Sequence, residues 1–139
     1  MGRLIAIDTD VLIYFYEDRK RLGDSAEKIL RAIETGEVHG LFSSVGITEL
    51  LTLPLREGRQ DIVDYYRDDL YNFPHLRIVT VDAVIAEEAA KLRAMYNLKT
   101  PDALHLATAI ITGAELFVTN DKALKRVKEI KIQLLSDVH

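Results

Sequence analysis

Leu4-Ile5-Ala6-Ile7-Asp8-Thr9-Asp10-Val11-Leu12-Ile13 is an aliphatic run that stops at an aspartate and passes into a second apolar run. An unbroken run of branched aliphatics suits a strand covered on both faces, the strand type of parallel sheets, and Asp8 then falls at its carboxyl end. In open α/β sheets ligands gather just beyond those ends. A carboxylate is costly to bury there alone, so the reading turns on which other groups converge on Asp8.

The 139 residues approach the commonest size of a single domain, and one domain over 1–139 is predicted. Apolar residues make up 48% and charged residues 29%, a globular balance that excludes a mostly disordered chain. The net charge of -4 provides no broad basic field, so a nucleic-acid contact needs a local patch or metal ions bridging to phosphate. With no cysteine there is neither a disulfide framework nor a thiolate zinc site, which is compatible with a reducing compartment. No apolar run approaches the roughly 18 to 20 residues of a membrane span, and no basic region precedes a signal-like stretch; a cytoplasmic protein without membrane contact is expected.

Outward from the first strand, Val11 to Tyr16 reads as a helical turn that the charged cluster Glu17-Asp18-Arg19-Lys20-Arg21 ends in a loop. Asp24 and Glu27 have capping-box spacing ahead of Ala26, Ile29, Leu30 and Ile33, and Gly36 stops that helix. A second strand is predicted over Val38 to Ser43, with Ser44 as the cap of a helix carrying Val45, Ile47, Leu50, Leu51 and a single acid, Glu49. After Gly58, Ile62, Val63, Tyr66 and Leu70 mark another helix. A third strand is predicted over Leu76 to Val81, with Asp82 capping the helix of Ile85, Ala89, Leu92 and Tyr96. Thr100-Pro101 predicts a helix start with Thr as cap, Pro at the first position and Asp102 at the second. Ala103, Leu104, Leu106, Ala107, Ala109, Ile110 and Ile111 make that helix apolar nearly all round, hence central. Leu116 to Val118 repeats the pattern of the first strand, ending in Thr119-Asn120-Asp121 and a short basic helix through Arg126. Ile130, Ile132 and Leu134 alternate with Lys131 and Gln133, an edge strand. Alternating strands and helices predict an α/β fold, a three-layer α/β/α sandwich on a mostly parallel central sheet.

On this reading Asp8 ends a strand, Glu49 lies in the first turns after another, Asp102 opens a buried helix and Asp121 follows a further strand. All four face one end of the sheet. A helix N-terminus favours an anion by roughly 0.3 to 1 kcal/mol, which helps keep Glu49 and Asp102 ionised. Two carboxylates about 4 Å apart repel by about 4 kcal/mol at an effective dielectric near 20, so such a cluster needs protons or a cation. An all-oxygen site suits Mg²⁺ or Mn²⁺, and phosphodiester hydrolysis by a metal-activated water is natural chemistry for it.

Ile7-Asp8-Thr9-Asp10-Val11-Leu12, Ile47-Thr48-Glu49-Leu50, Pro101-Asp102-Ala103-Leu104-His105-Leu106-Ala107 and Val118-Thr119-Asn120-Asp121 together resemble the PIN-domain family, in particular the VapC-like toxins of toxin-antitoxin pairs. The four pieces span almost the whole chain in the family's order. The resemblance implies a metal-dependent endoribonuclease acting on RNA, with Asp8, Glu49, Asp102 and Asp121 as its catalytic and metal-binding acids. It makes Asp8 and Asp102 metal ligands, Glu49 a ligand or water-positioning group, and Asp121 the support for a second ion or the water network. It also implies a homodimer and a cognate antitoxin that inserts a segment near the site. Asp10 departs from the pattern, since many relatives carry Asn there.

Other residues carry two readings. Asp10 caps the first helix or belongs to the outer shell of the site. His105, one turn beyond Asp102, reads as a satisfied buried histidine or as a hydrogen-bond partner behind the acids, and is left out of the predicted site. Tyr14-Phe15-Tyr16 reads as core or subunit interface, and Lys122, Lys125 and Arg126 read as a solvated helix face or as contacts to RNA phosphates. Two other functions fit parts of the sequence. Asp8-Thr9-Asp10 also resembles the first motif of haloacid-dehalogenase-like phosphohydrolases, with Asp8 as covalent nucleophile and Asp10 as acid/base, but that leaves Glu49 and Asp102 without work. The other is a PIN module that binds RNA or a protein without cutting.

Overall fold

Every aliphatic run read as a strand joins one sheet. The computed structural model describes residues 3–17 and 20–139. In chain order its elements are β1 (Arg3–Ile7), α1 (Thr9–Glu17), α2 (Lys20–Glu34), β2 (Val38–Ser43), α3 (Val45–Arg56), α4 (Gln60–Tyr71), β3 (Leu76–Val79), α5 (Ala83–Tyr96), α6 (Thr100–Thr112), β4 (Leu116–Thr119) and β5 (Lys131–Leu134). Short 3₁₀ turns cover Lys122–Arg126 and Leu135–Asp137. The strands lie in the order β3-β2-β1-β4-β5, and every pair is parallel.

This order puts the two-residue period of the strands to work. Ile5 and Ile7 turn to one face, where they pack with Val11 and Leu12 of α1 and Ala26, Leu30 and Ile33 of α2. Ala6 turns to the other, against Ala103, Leu106 and Ala107 of α6 and Ile85, Ala89 and Leu92 of α5. Phe117 follows Ala6, and Val118 follows Ile7. The sheet is thus covered on both faces, the predicted α/β/α sandwich.

The order in which strands are added reverses at the centre. From β1 the strands step outward to β2 and β3, and the chain then returns to lay β4 on the opposite side of β1. The crevice beyond the carboxyl ends of β1 and β4 is therefore the topological switch point, where ligands of such sheets bind. The Asp8 N–H donates to the Val118 carbonyl at 2.9 Å, extending the pairing of these two strands to the aspartate itself.

Three expected boundaries shift, each for a tertiary reason. The α2 helix begins at Lys20, so Asp24 and Glu27 lie inside it and form no capping box; Gly23 is buried and Leu22 packs on the core, which recruits the extra turn. Asp18 and Arg19 of the expected loop lie outside the described residues. The β3 strand ends at Val79 because the Val81 N–H turns away to the Ser44 hydroxyl, at 3.2 Å. Ser44 therefore does not cap α3 with its side chain; the Val45 N–H goes to the Ser43 hydroxyl instead, at 3.2 Å. In α6 the cap position is Lys99, because its carbonyl already accepts from the Ala103 N–H at 3.0 Å, so Asp102 is the third helical residue rather than the second. Gly36 ends α2 at φ +82° and Asp82 caps α5 by accepting from Ile85 N–H at 2.9 Å, both as predicted.

Candidate active site

Asp8, buried at the end of β1, has both oxygens held. Oδ1 accepts from the Thr9 N–H at 2.8 Å and Oδ2 from the Thr119 hydroxyl at 2.8 Å. The Thr119 oxygen in turn accepts from the Asp121 N–H at 3.1 Å, so one hydroxyl at the end of β4 ties two of the predicted acids together. Asp121 caps the following 3₁₀ turn, its Oδ1 accepting from Ala123 N–H at 2.9 Å.

Glu49, in the second turn of α3, receives two donors on a single oxygen. The Thr9 hydroxyl donates to Oε1 at 2.8 Å and the His105 Nε2 reaches the same atom at 2.6 Å. His105 is 2% exposed, and its Nε2 lies 3.7 Å from Asp8 Oδ1. A carboxylate only accepts, so the imidazole proton facing Glu49 sits on Nε2; Nδ1 is buried and has no hydrogen-bond partner among the described residues. Thr9 and His105 thus connect the acids of β1 and α3 through α6. The sequence pattern leaves His105 out, although it lies three residues beyond Asp102 and so on the same side of one helix.

Asp102 is half-buried in the first turn of α6. With Asp121 it lines a cavity of about 260 Å³ that Lys99 and Arg126 also line. The four predicted acids therefore meet at the switch point, with Asp121 at the exposed rim.

The electrostatics follow from this crowding. Burial, with the Glu49 charge added, raises the pKa of Asp8 against the opposing pull of His105, Thr119 and Thr9. Burial and then the charges of Asp8, Asp121 and Glu49 raise that of Asp102. For Glu49, burial is outweighed by the His105 and Thr9 hydrogen bonds, and its pKa is lowered. His105 is the mirror image: burial opposes its charge, but the bond to Glu49 and the charges of Asp8, Glu49 and Asp102 raise its pKa. Asp10 is pushed up to about 7 by burial and by the neighbouring Asp8. Its Oδ2 accepts from Asn120 N–H at 2.8 Å, tying the loop after β4 to the start of α1, while Oδ1 is buried without a partner.

The acids fit a hard divalent cation. A carboxylate oxygen each from Asp8 and Glu49 and a ring nitrogen of His105 lie within 4.8 Å of one another, and Asp102 adds its charge to that of the two acids. Oxygen predominates, no thiolate is available, and acids held against like charge are what a cation relieves. The aromatic run next to the site is packing: Tyr16 stacks on Tyr66 with centroids 4.6 Å apart, and Phe15 meets Phe73 edge-on at 6.3 Å.

A parallel sheet with this strand order and acids gathered at its switch point defines the class: the chain belongs to the PIN domain family, which matches residues 5–130. A search of the curated proteins finds no match. Among solved structures the chain is similar to VapBC2 from Rickettsia felis bound to a fragment of promoter DNA, with 18% identity, 94% of this chain and 98% of that chain covered, and a TM-score of 0.77. It is similar also to a toxin-antitoxin complex from Klebsiella pneumoniae, at 24% identity, 91% and 94% coverage and TM-score 0.70. For DNA-bound VapBC from Salmonella typhimurium the values are 16%, 97% and 99%, and 0.72. At such identities the likeness is one of fold.

Proposed function

We propose that this chain is a metal-dependent endoribonuclease, the toxin of a toxin-antitoxin pair, acting in the cytoplasm as a homodimer of one-domain subunits. The observation that carries the reading is the convergence of Asp8, Glu49 and Asp102 on the crevice between β1 and β4, with Asp121 at its rim. A bound Mg²⁺ or Mn²⁺ supplies phosphate orientation, a more acidic water and neutralisation of charge in the transition state. The protein's part is to hold the oxygens that receive it. Thr9 and Thr119 fix Asp8, and Thr9 and His105 fix Glu49 through Oε1, so that both carboxylates would be held in place to receive the ion. Asp102 supplies the third carboxylate, and Asp121 orders water or a second ion at the entrance.

The structural neighbours are toxin-antitoxin complexes and VapBC assemblies, which supports an antitoxin as partner. Among the described residues no helix is long and apolar enough to cross a membrane. The phosphohydrolase alternative needs Asp10 as a free acid/base, whereas one of its oxygens holds the Asn120 N–H and the other is buried. The test is a panel of RNAs incubated with purified protein in Mg²⁺ or Mn²⁺, with the cleavage sites sequenced. Cleavage is expected to fall by at least about a hundredfold in Asp8→Asn or Asp102→Asn and to stop in excess chelator. Cleavage that survives those changes sinks the reading, and tight RNA binding without cutting in either metal favours the non-catalytic module.

A further inference from the structure

The cavity beside the acids has a second pole. Lys99, just before α6, and Arg126, at the end of the 3₁₀ turn, line it together with Asp102 and Asp121. Arg126 is fixed in place by carbonyls, with no carboxylate paired to it among the described residues. Its Nη1 donates to the Ala123 carbonyl and its Nη2 to the Tyr96 carbonyl, both at 2.6 Å. The nearby Glu129 is engaged instead by the Tyr96 hydroxyl, at 2.6 Å. Elsewhere in the molecule Arg3, Arg31 and Arg59 each pair with an acid. An arginine oriented by neutral carbonyls keeps its full charge for an incoming anion and has already lost much of its side-chain entropy. Lys99 is exposed beside it.

A polyanion approaching this site meets a difficulty that a metal ion alone relieves only at the scissile phosphate. The chain's net charge is -4, and the acid cluster repels every other phosphate of the strand. Backbone phosphates position a nucleic acid through Arg and Lys contacts that carry no sequence information. Lys99 and Arg126 share one cavity with two of the acids, which puts both cations within reach of a strand whose scissile phosphate lies at the acids.

We propose that the cavity between Lys99 and Arg126 is a subsite for the RNA phosphate adjoining the scissile one. This rests on the nuclease reading above and adds the path the strand takes away from the acids, toward the 3₁₀ turn. The probe is a fluorescein-labelled single-stranded oligoribonucleotide, with binding followed by anisotropy across a salt series in Ca²⁺ and cleavage of the same RNA measured in Mn²⁺. Lys99→Ala and Arg126→Ala should each weaken binding about tenfold at low salt and flatten the log K against log[salt] slope by about 0.7, the single-strand value for each phosphate no longer neutralised. Arg77→Ala is the control: Arg77 is an exposed cation that lines a separate cavity with His39 and His75, so it changes net charge without touching the subsite. Because Arg126 also closes the turn onto α5, Lys99→Ala and Arg126→Lys keep the test independent of folding; Arg126→Lys should restore the slope. Slopes for Lys99→Ala and Arg126→Ala equal to that of Arg77→Ala overturn the subsite while leaving the nuclease reading intact. A wild-type protein that neither binds nor cuts RNA overturns both.

Discussion

His105 is the residue whose chemistry the site depends on most without being an acid. Histidines that ligate metals nearly always donate their second ring N–H to a partner, and Nδ1 here has none. The arrangement therefore favours Nε2–H as donor to Glu49, which makes His105 a positioning residue rather than a ligand. Removing it should leave Glu49 held by Thr9 alone. His105→Leu is expected to weaken Mn²⁺ binding by roughly 10- to 100-fold in calorimetry, whereas His105→Gln, which keeps an N–H donor at similar reach, should restore most of the affinity. The Leu variant also gives up the 2.6 Å bond to Glu49 and the charge that opposes the burial of Asp8, so its metal-free thermal midpoint should fall as well, and the metal affinity regained by His105→Gln is the readout that isolates positioning. Nitrogen hyperfine coupling to bound Mn²⁺ in the wild type would make His105 a ligand and reverse this assignment. The contrast with the acids is instructive. Asp8, Glu49, Asp102 and Asp121 were legible because each stands at the end of an aliphatic strand or in the first turns of a helix, a pattern local in sequence. His105 was not, because its partner Glu49 is 56 residues away and a buried histidine on an apolar helix has the same local sequence whether or not it serves the site.

At the level of elements, the joint between β2 and α3 holds the Glu49 end of the cluster in register. Gly46, in the first turn of α3, lies against the Phe42 ring so closely that an added Cβ would sit 2.0 Å from its Cζ. Phe42 is fully buried, and its ring centroid lies 5.9 Å from that of His105. A side chain at position 46 must push the aromatic ring toward the imidazole or push α3 off the sheet. Gly46→Ala should therefore cost about 1–3 kcal/mol, read as a lower thermal midpoint, and should weaken metal binding although residue 46 touches no acid. Unchanged stability would mean that Phe42 has room to move. Strand positions were readable here because β-branched and aliphatic runs are local. The ends of β3 and α2 were not, since Val81 leaves the ladder for a serine hydroxyl 37 residues away and α2 gains a turn through the packing of Leu22.

For the molecule as a whole, the acid cluster sets how stability varies with pH and metal. Asp10, with its pKa moved from 3.8 to about 7, and Asp8 and Asp102, also raised, bind more protons folded than unfolded. The stability they contribute is full at low pH and is lost as pH rises through their folded values. His105, raised above 6.5, acts in the same direction, its contribution fading as pH climbs through its folded value. Glu49, lowered below 4.5, has the opposite sign, but it loses its contribution only as pH falls through that lower value. Between pH 5 and 8 the sum points one way: the metal-free protein should lose stability as pH rises, by up to about 1.4 kcal/mol per pH unit for each proton difference. Asp10→Asn should flatten that slope near pH 6 to 7. A divalent ion replaces the protons as the neutralising charge, so added Mn²⁺ should stabilise more at pH 8 than at pH 6, where it competes with them. At a free concentration a hundred times its Kd the gain is about 2.7 kcal/mol, several degrees in a thermal scan. Thermal midpoints with Mn²⁺ and with chelator at both pH values test this directly. A Mn²⁺ gain that shrinks toward pH 8, or none at all, would separate the acids from any metal and leave their crowding as a cost of the fold alone.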